Sequence, residues 1–410
     1  MPEPTPEIRW PGAVVAGGGV TALLTALELE RRQISTLVVE QESLCSGQTG
    51  KCHGWLHRGA VFPDAEAEDV DQLDRGARRW DRIVRRAPGH HTLVGCRVGG
   101  VHERTHDVIT GTWDRLGLEY RGSDDVVAGP FRWLLSGPES AIRPLDVLRD
   151  TLAPSSVTLR SGRAVSLVPD RPGTRAASLV VRAGQRTLRI RADSFVLANG
   201  EGLTAALPDA RISSRVTRRL SFMLVVRSNA VGATGLAVPE QEALGLFAVP
   251  RTRDQERGRY LLISNFISYA PSADATLSRS HWLAGIRCVI RRFLPDVWHD
   301  DDALWGIYPA VKVEPRRDLA LGVSNMAVLP TSFDNVLVGL PGKLVLAPLL
   351  AERLADAVLP HARSCDGRSA PAPCSDGALS LLPAARWGPE EWEVTPLLRR
   401  DTLFQGDDAP

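Results

Sequence analysis

Ala13 to Ala16 is a short apolar run, and from Val20 to Arg31 apolar side chains recur at helical spacing before a second, β-branched run closes on Glu40. Short continuous apolar runs suit strands buried on both faces, and the amphipathic stretch between them suits a crossover helix, so the pattern predicts a βαβ unit. Gly17, Gly18 and Gly19 lie between the first run and the helix. Gly17 suits the tight turn out of the strand, and Gly19, lacking a Cβ, lets the backbone approach a pyrophosphate that faces the helix N-terminus beside Val20 and Thr21. Ala22 takes the third position of the fingerprint. Glu40 ends the second run, where a carboxylate accepts hydrogen bonds from a ribose 2′-hydroxyl and repels a 2′-phosphate. A glycine turn alone fits any doubly wound domain. Strand, turn, helix, second strand and terminal acid in this order point to an adenosine diphosphate group without the extra phosphate of NADP.

Further along, Asp64 to Arg86 has an acidic start, a basic end and apolar residues at helical spacing, which predicts a surface helix that complements its own dipole. Short strands begin near Thr92, and Thr105 to Gly117 reads as helical. Between Arg218 and Ile307, SFMLVVRS, LGLFAVP and RYLLISNFISY predict antiparallel strands around a charged hairpin tip at Arg251 to Arg259. After His361 the chain becomes rich in Pro, Ala, Ser and Gly, a linker composition. The tail beyond it carries Trp387, Trp392, Leu397, Leu398 and Phe404, enough apolar surface to dock on the body or on another copy of the chain.

The choice of cofactor turns on Ser46 to Phe62, SGQTGKCHGWLHRGAVF, a small, polar, glycine-rich loop unlike the plain helix-strand continuation of a nicotinamide dehydrogenase. Such a loop can lie along a ribityl chain and isoalloxazine ring. QTGKCHGWLHRG resembles the loop after the second strand in L-2-hydroxyglutarate dehydrogenases, and more loosely that of glycerol-3-phosphate dehydrogenases, within the D-amino-acid oxidase-like FAD superfamily. RADSFVLANGEGLTAAL (Arg191 to Leu207) is similar to the element that closes over the cofactor. DNVLVGLPGKLVLAPLLAERLADAVL (Asp334 to Leu359) resembles the late strand, turn and helix pointing at the flavin pyrimidine edge.

The resemblance covers roughly residues 10 to 360 and implies an α/β fold: a Rossmann-like FAD-binding domain (10–90, 139–217 and 308–360) with a second, mixed antiparallel β-sheet substrate domain (91–138 and 218–307). Residues 361–410 form the linker and C-terminal tail. Glu139 to Ala153 resembles the helix by which the family re-enters the cofactor domain. As FAD-binding residues the resemblance implies Gly17 to Thr21, Glu40, Gln41, Gln48, Thr49, Gly50, Lys51, Cys52, His53, Gly54, Val165, Ala198, Asn199, Gly200, Gly339, Leu340, Gly342 and Lys343. Two departures stand out. Val61 and Phe62 replace an Arg-Tyr or Tyr-Tyr pair, and Lys343 stands where some relatives place glycine.

Composition narrows the class. A chain of 410 residues with 43% hydrophobic side chains can bury a cofactor domain and a second domain. The net charge of +1 supplies no long-range field for nucleic acid or an anionic membrane. The six cysteines, 45, 52, 96, 288, 365 and 374, lack paired metal spacing and are too sparse for a disulfide framework, which suits a reducing, cytoplasmic setting. MPEPTPEIRWPG is polar and proline-rich, unlike a signal peptide, and no apolar run reaches membrane-spanning length. His102 to His106 spell HExxH, the zinc-peptidase pattern. Gly99 and Gly100 directly before it and the absence of a third ligand cluster after it favour a solvated helix start without metal.

Enzymes of the resembling families remove hydride from a carbon bearing OH or NH and deliver it to flavin N5, with the heteroatom proton leaving to a base or water. His57, at the end of the loop, is the first candidate base because imidazole titrates near operating pH. YPAVKVEPRRD (Tyr308 to Asp318) resembles a strand leading toward the flavin that often ends in a basic residue holding substrate carboxylate. Lys312 best matches that place, and Tyr308 offers a further hydrogen bond. The expected protein is an FAD-dependent dehydrogenase or oxidase acting on a C–OH or C–N centre of a small or medium polar metabolite, most like a 2-hydroxy-acid dehydrogenase. An amine or amino-acid oxidase and a catalytically silent flavin-binding protein are the alternatives. Self-association through the tail stays open.

Overall fold

The computed structural model describes residues 5–59, 62, 65–89, 91, 93–122, 130–170, 173–207, 209–240, 245–252, 259–270, 274–316, 326–362 and 379–404. Val61, the hairpin-tip residues 253–258 and linker residues 363–378, with Cys365 and Cys374, lie outside them.

β1 (Ala13–Ala16), α1 (Val20–Arg31) and β2 (Thr36–Glu40) form the expected unit, with every β1 side chain buried. β1 is flanked by β2 on one side and by β3 (Ser194–Leu197) on the other, both parallel to it. Strand Val336–Leu340 pairs in parallel with β3, Thr158–Ser161 in parallel with β2, and antiparallel Ala327–Pro330 closes one edge of the six-stranded sheet. One face of this sheet is covered by α1, α2 (Ala67–Arg86) and the helix Ala347–Val358, which share an aliphatic core. The opposite face packs on a four-stranded sheet from 163–191 and the strand Glu7–Arg9. A ten-stranded, mainly antiparallel sheet contains Val216–Ser228 and β4 (Leu304–Pro315), paired over twelve residues from Val216–Pro315 to Arg227–Leu304. The architecture is thus the α/β fold with a Rossmann-like sheet and a second mixed sheet.

Two expectations are corrected. Glu139 lies within a strand, Trp133–Ala141, and the helix starts only at Pro144, where the ring occupies the first turn without costing an intrahelical hydrogen bond. The 218–307 block also contains the helix Ala275–Phe293, started by Asp274, whose carboxylate accepts from the N–H groups of Thr276 and Leu277. The tail docks on the body, one of the two arrangements its composition allows: Trp392, Leu403 and Phe404 are buried, whereas Leu398 stays exposed.

α2 also fixes the turn before the last helix of the cofactor sheet. Trp80 is fully buried and its indole N–H donates to the Leu344 carbonyl at 3.0 Å. Trp80→Ala is expected to destabilise the fold by about 3–5 kcal/mol, read by urea unfolding. A loss below about 1 kcal/mol contradicts this role for the indole.

Candidate active site

The turn after β1 is set by one close approach. Gly17 has φ +111°, and a Cβ there would lie 2.5 Å from the Ala198 carbonyl oxygen, so only glycine lets the β1 turn and the β3 turn meet. The Gly18 N–H donates to Glu40 Oε2 at 2.5 Å, and Glu40 Oε1 accepts from Glu42 at 2.9 Å. Burial raises the Glu40 pKa against these hydrogen bonds. The α1 N-terminus carries no side-chain cap of its own, although Thr49 Oγ1 accepts the Val20 N–H at 2.9 Å. Its positive end therefore faces the cleft with donors available for an anion.

One cavity of about 430 Å³ joins these parts. Its lining runs from Glu40, Gln41 and Arg163 past Gly17 to Thr21 and Gln48, Thr49 and Lys51 to Cys52, His53, Gly54 and His57; Ala198, Asn199, Gly200, Gly339, Leu340, Gly342, Lys343 and Lys312 complete it. Asn199 Oδ1 and Gln48 Nε2 are buried without a hydrogen-bond partner, as a site made for a polar ligand requires. The uncapped helix end, the glycine cradle and these unpartnered groups fit the pyrophosphate and sugar of FAD.

Three expected residues stand elsewhere. Gly50 does not line the cavity; its carbonyl accepts from Glu391 in the tail at 3.0 Å. Val165 is likewise displaced, because its strand offers Arg163 and Ala164 instead. Tyr308 is buried with Met223, Tyr260 and Trp392, and its hydroxyl reaches only the Lys51 carbonyl, at 3.5 Å. Ser221, Met223, Ser264 and Glu314 line the cavity and were not anticipated.

At the Lys312 end the charges are unequal. His53 and His57 sit in an aromatic group: His53 stacks on Phe247 at 5.2 Å, and His57 lies 5.1 Å from the Phe62 ring and 6.2 Å from Trp55. Burial first, then Lys343, holds His57 well below the usual imidazole range, and burial with Lys312 takes His53 to about 3. Both rings are neutral at pH 7, which corrects the expectation that His57 titrates near operating pH: burial makes it a weaker base that stays unprotonated. His57 Nδ1 is buried without a partner. Lys343 Nζ rests 4.6 Å from the Phe62 ring centroid, a cation–π contact, and burial lowers its pKa to about 8 although Glu314 opposes the shift. Lys312 opens to solvent along the cleft; crowding by protein lowers it too, with Glu314 acting against this. Glu314 itself pairs with Arg219.

The loop that carries the imidazoles is braced by buried charge. Glu139 accepts from the Trp55 indole at 2.6 Å and from the Arg58 N–H at 2.9 Å, while Arg58 pairs with Asp74 at 2.8 Å and with Asp81. Arg251 donates to the carbonyls of His53 and Ile142 at 2.8 and 2.7 Å. The HExxH run lies apart: His102 faces Glu240 at 3.6 Å and His106 rests against Trp133. Among the described residues no group of three or more His, Cys, Asp or Glu is placed to hold a metal.

The family model for FAD dependent oxidoreductases (DAO) matches residues 13–357. The chain belongs to the DAO family of FAD dependent oxidoreductases. Like other members this oxidoreductase uses FAD. It is 25% identical over 406 residues to the probable FAD-dependent oxidoreductase PA4991 of Pseudomonas aeruginosa, covering 93% of this chain and 97% of that protein. The crystal structure of PA4991 superposes with a TM-score of 0.67 at 21% identity, over 96% of this chain and 99% of that one. NikD, described as an unusual amino acid oxidase essential for nikkomycin biosynthesis, gives 0.65 at 18% identity over 97% and 100% of the two chains. Glycine oxidase from Geobacillus kaustophilus gives 0.64 at 15% over 88% and 96%. Among the described residues of this DAO-family protein no helix is long and apolar enough to cross a membrane.

Lys343 makes stability depend on pH. It sheds its proton near pH 8 when folded, against 10.5 ordinarily, so between these values the unfolded chain binds more protons and the apoprotein gains stability as pH rises. In Lys343→Met that gain is expected to shrink in urea unfolding across this window; an identical slope in both proteins contradicts the shift.

Proposed function

We propose that this protein oxidises a small metabolite bearing a carboxylate, at an adjacent C–OH or C–N centre. The observation that carries the reading is the pairing, at one end of the cleft, of two lysines with two imidazoles held neutral. Lys312 and Lys343 supply the charge that recruits and orients an anion. His57, neutral and with Nδ1 unpartnered, can take the proton from the substrate heteroatom. Bound FAD supplies the two-electron acceptor at N5. Gly17 to Thr21, Glu40 and Asn199 would hold its nucleotide part; Lys51 to Gly54 and Gly339 to Lys343 would frame the ring. Trp55, Phe62 and Phe247 exclude water around the imidazoles, so that a proton given to His57 is not lost at once to solvent.

A 2-hydroxy acid is the substrate this charge pattern favours. Its hydroxyl is neutral, whereas the ammonium of a zwitterionic amino acid would meet Lys312 and Lys343, and the carboxylate lining this end, Glu314, is already engaged by Arg219. The amino-acid alternative draws support from the likeness in fold to NikD and glycine oxidase.

An anaerobic panel of small 2-hydroxy acids and amino acids, scored by bleaching of the flavin, separates them. Bleaching by a hydroxy acid is expected; bleaching by amino acids alone turns the reading to the amine, and no bleaching by any carboxylate contradicts both. His57→Asn is expected to lower kcat/KM roughly 10²–10⁴-fold with FAD still bound. Near-normal turnover in this variant removes His57 as the base.

A further inference from the structure

The tail lies beyond the residues that the family model matches, yet it runs from the edge of the cofactor sheet, behind the loop at residues 44–50, to the second sheet. Residues 383–385 extend the edge of the cofactor sheet: the Ser161 N–H donates to the Pro383 carbonyl at 2.7 Å, and the Ala385 N–H to Leu159 at 3.3 Å. The chain then meets the start of the cofactor loop. The Leu44 N–H donates to the Arg386 carbonyl at 2.7 Å and the Gly388 N–H to Leu44 at 3.3 Å. A single helical turn, Glu391–Val394, follows, and its first N–H, from Glu391, donates to the Gly50 carbonyl at 3.0 Å. Finally Leu398–Arg399 pairs with Leu304 and Trp305 of β4, the strand that carries Lys312.

This turn is firmly set. Glu390 and Glu393 form a capping box, and the Trp392 indole donates to buried Glu390 at 2.5 Å. Arg143 lies 5.6 Å from the Trp392 ring centroid and pairs with Glu393 at 3.1 Å. Trp392 packs on Tyr260 beside Tyr308, whose hydroxyl points at the Lys51 carbonyl. Backbone groups at both ends of residues 44–50 are therefore satisfied by the tail, while side chains within and just beyond this loop line the cavity.

We propose that residues 379–404 are a positioning strap for the cofactor loop, and that the Glu391 N–H to Gly50 contact sets how tightly FAD is retained. The inference rests on the reading that this cleft holds FAD. Gly50, expected at the cofactor, then acts from behind, through the tail.

Proline at the first helical position keeps the turn, and the extended conformation of Glu390 (φ −60°, ψ 147°) tolerates a following proline, so Glu391→Pro deletes the donor and little else. Glu391→Ala retains the N–H. FAD affinity is measured by quenching of flavin fluorescence on titration into apoprotein, with urea unfolding of the same apoproteins alongside. Loss of one hydrogen bond predicts FAD binding weaker by roughly three- to tenfold in Glu391→Pro, near-normal binding in Glu391→Ala, and an unfolding midpoint of the Glu391→Pro apoprotein lowered by no more than one hydrogen bond accounts for. Unchanged affinity in Glu391→Pro overturns the proposal. So does an equal loss in both variants, or a Glu391→Pro apoprotein whose stability collapses by far more than one hydrogen bond, which would make the weaker binding a folding defect. Should Glu391→Pro fail to fold, Arg143→Gln, which releases Glu393 and the face of Trp392, is scored by the same criteria. Wild-type protein that takes up no FAD defeats the reading of the cleft, a different outcome from wild-type protein that binds FAD as tightly as Glu391→Pro.

Discussion

The close approach of Gly17 to the Ala198 carbonyl is the constraint on which the rest of the site depends. Parallel pairing of β1 with β2 and β3 brings three strand ends to one edge of the sheet, but strands alone would leave their turns apart. Removing a Cβ at Gly17 lets the turns close to van der Waals distance, and the left-handed backbone there turns the chain into α1 so that its N-terminus faces the gap. Glu40 completes the corner by accepting the Gly18 N–H. Each step uses ordinary backbone physics, and together they build a place for a dinucleotide anion before any catalytic group is considered.

The groups to which we assign the chemistry come from the second sheet, the loop between and the turn at Lys343. Low polarity around His53 and His57 keeps both imidazoles unprotonated, while Lys312 and Lys343 stand close enough to depress them further. The same lysines attract anions. In the proposed reading, a single arrangement thus supplies both imidazoles that stay free at neutral pH and cations that would hold substrate, at the cost of buried charge. The ion cluster around Arg58 and the hydrogen bonds from Arg251 to backbone carbonyls anchor the loop that bears this burden.

Much of this was legible in the sequence because it is local. The βαβ unit, the Ala198 to Gly200 turn and the Gly339 to Lys343 turn announce themselves by strand-length apolar runs next to glycines, and all line the cavity. The errors lie where side-chain direction depends on a distant partner. Tyr308 shares a strand and a face with Lys312, yet Trp392, more than eighty residues later, covers it. Val165 and Gly50 belong to segments whose neighbouring residues line the cavity, but which way each faces depends on chain packed against it. Glu139 looked helical from the pattern that follows it, although the helix signal begins with Pro144. The helix Ala275–Phe293 was within reach: Trp282, Leu283, Ile286, Val289, Ile290 and Phe293 recur at helical spacing and are all buried. The tail was recognisable as apolar, and its docking on the body was one of two open choices; only the backbone partners at Leu44, Gly50 and Leu159 show which surface receives it.

Separate stretches of the chain are placed to close on one FAD through the glycine at the first turn. The most direct test of this closure is the FAD content per chain of Gly17→Ala beside the wild type, from the visible spectrum of purified protein. About one FAD per wild-type chain is expected, and a folded variant with little or none, because the added methyl forces the Ala198 turn away. A folded Gly17→Ala protein that retains a full complement of flavin would contradict it.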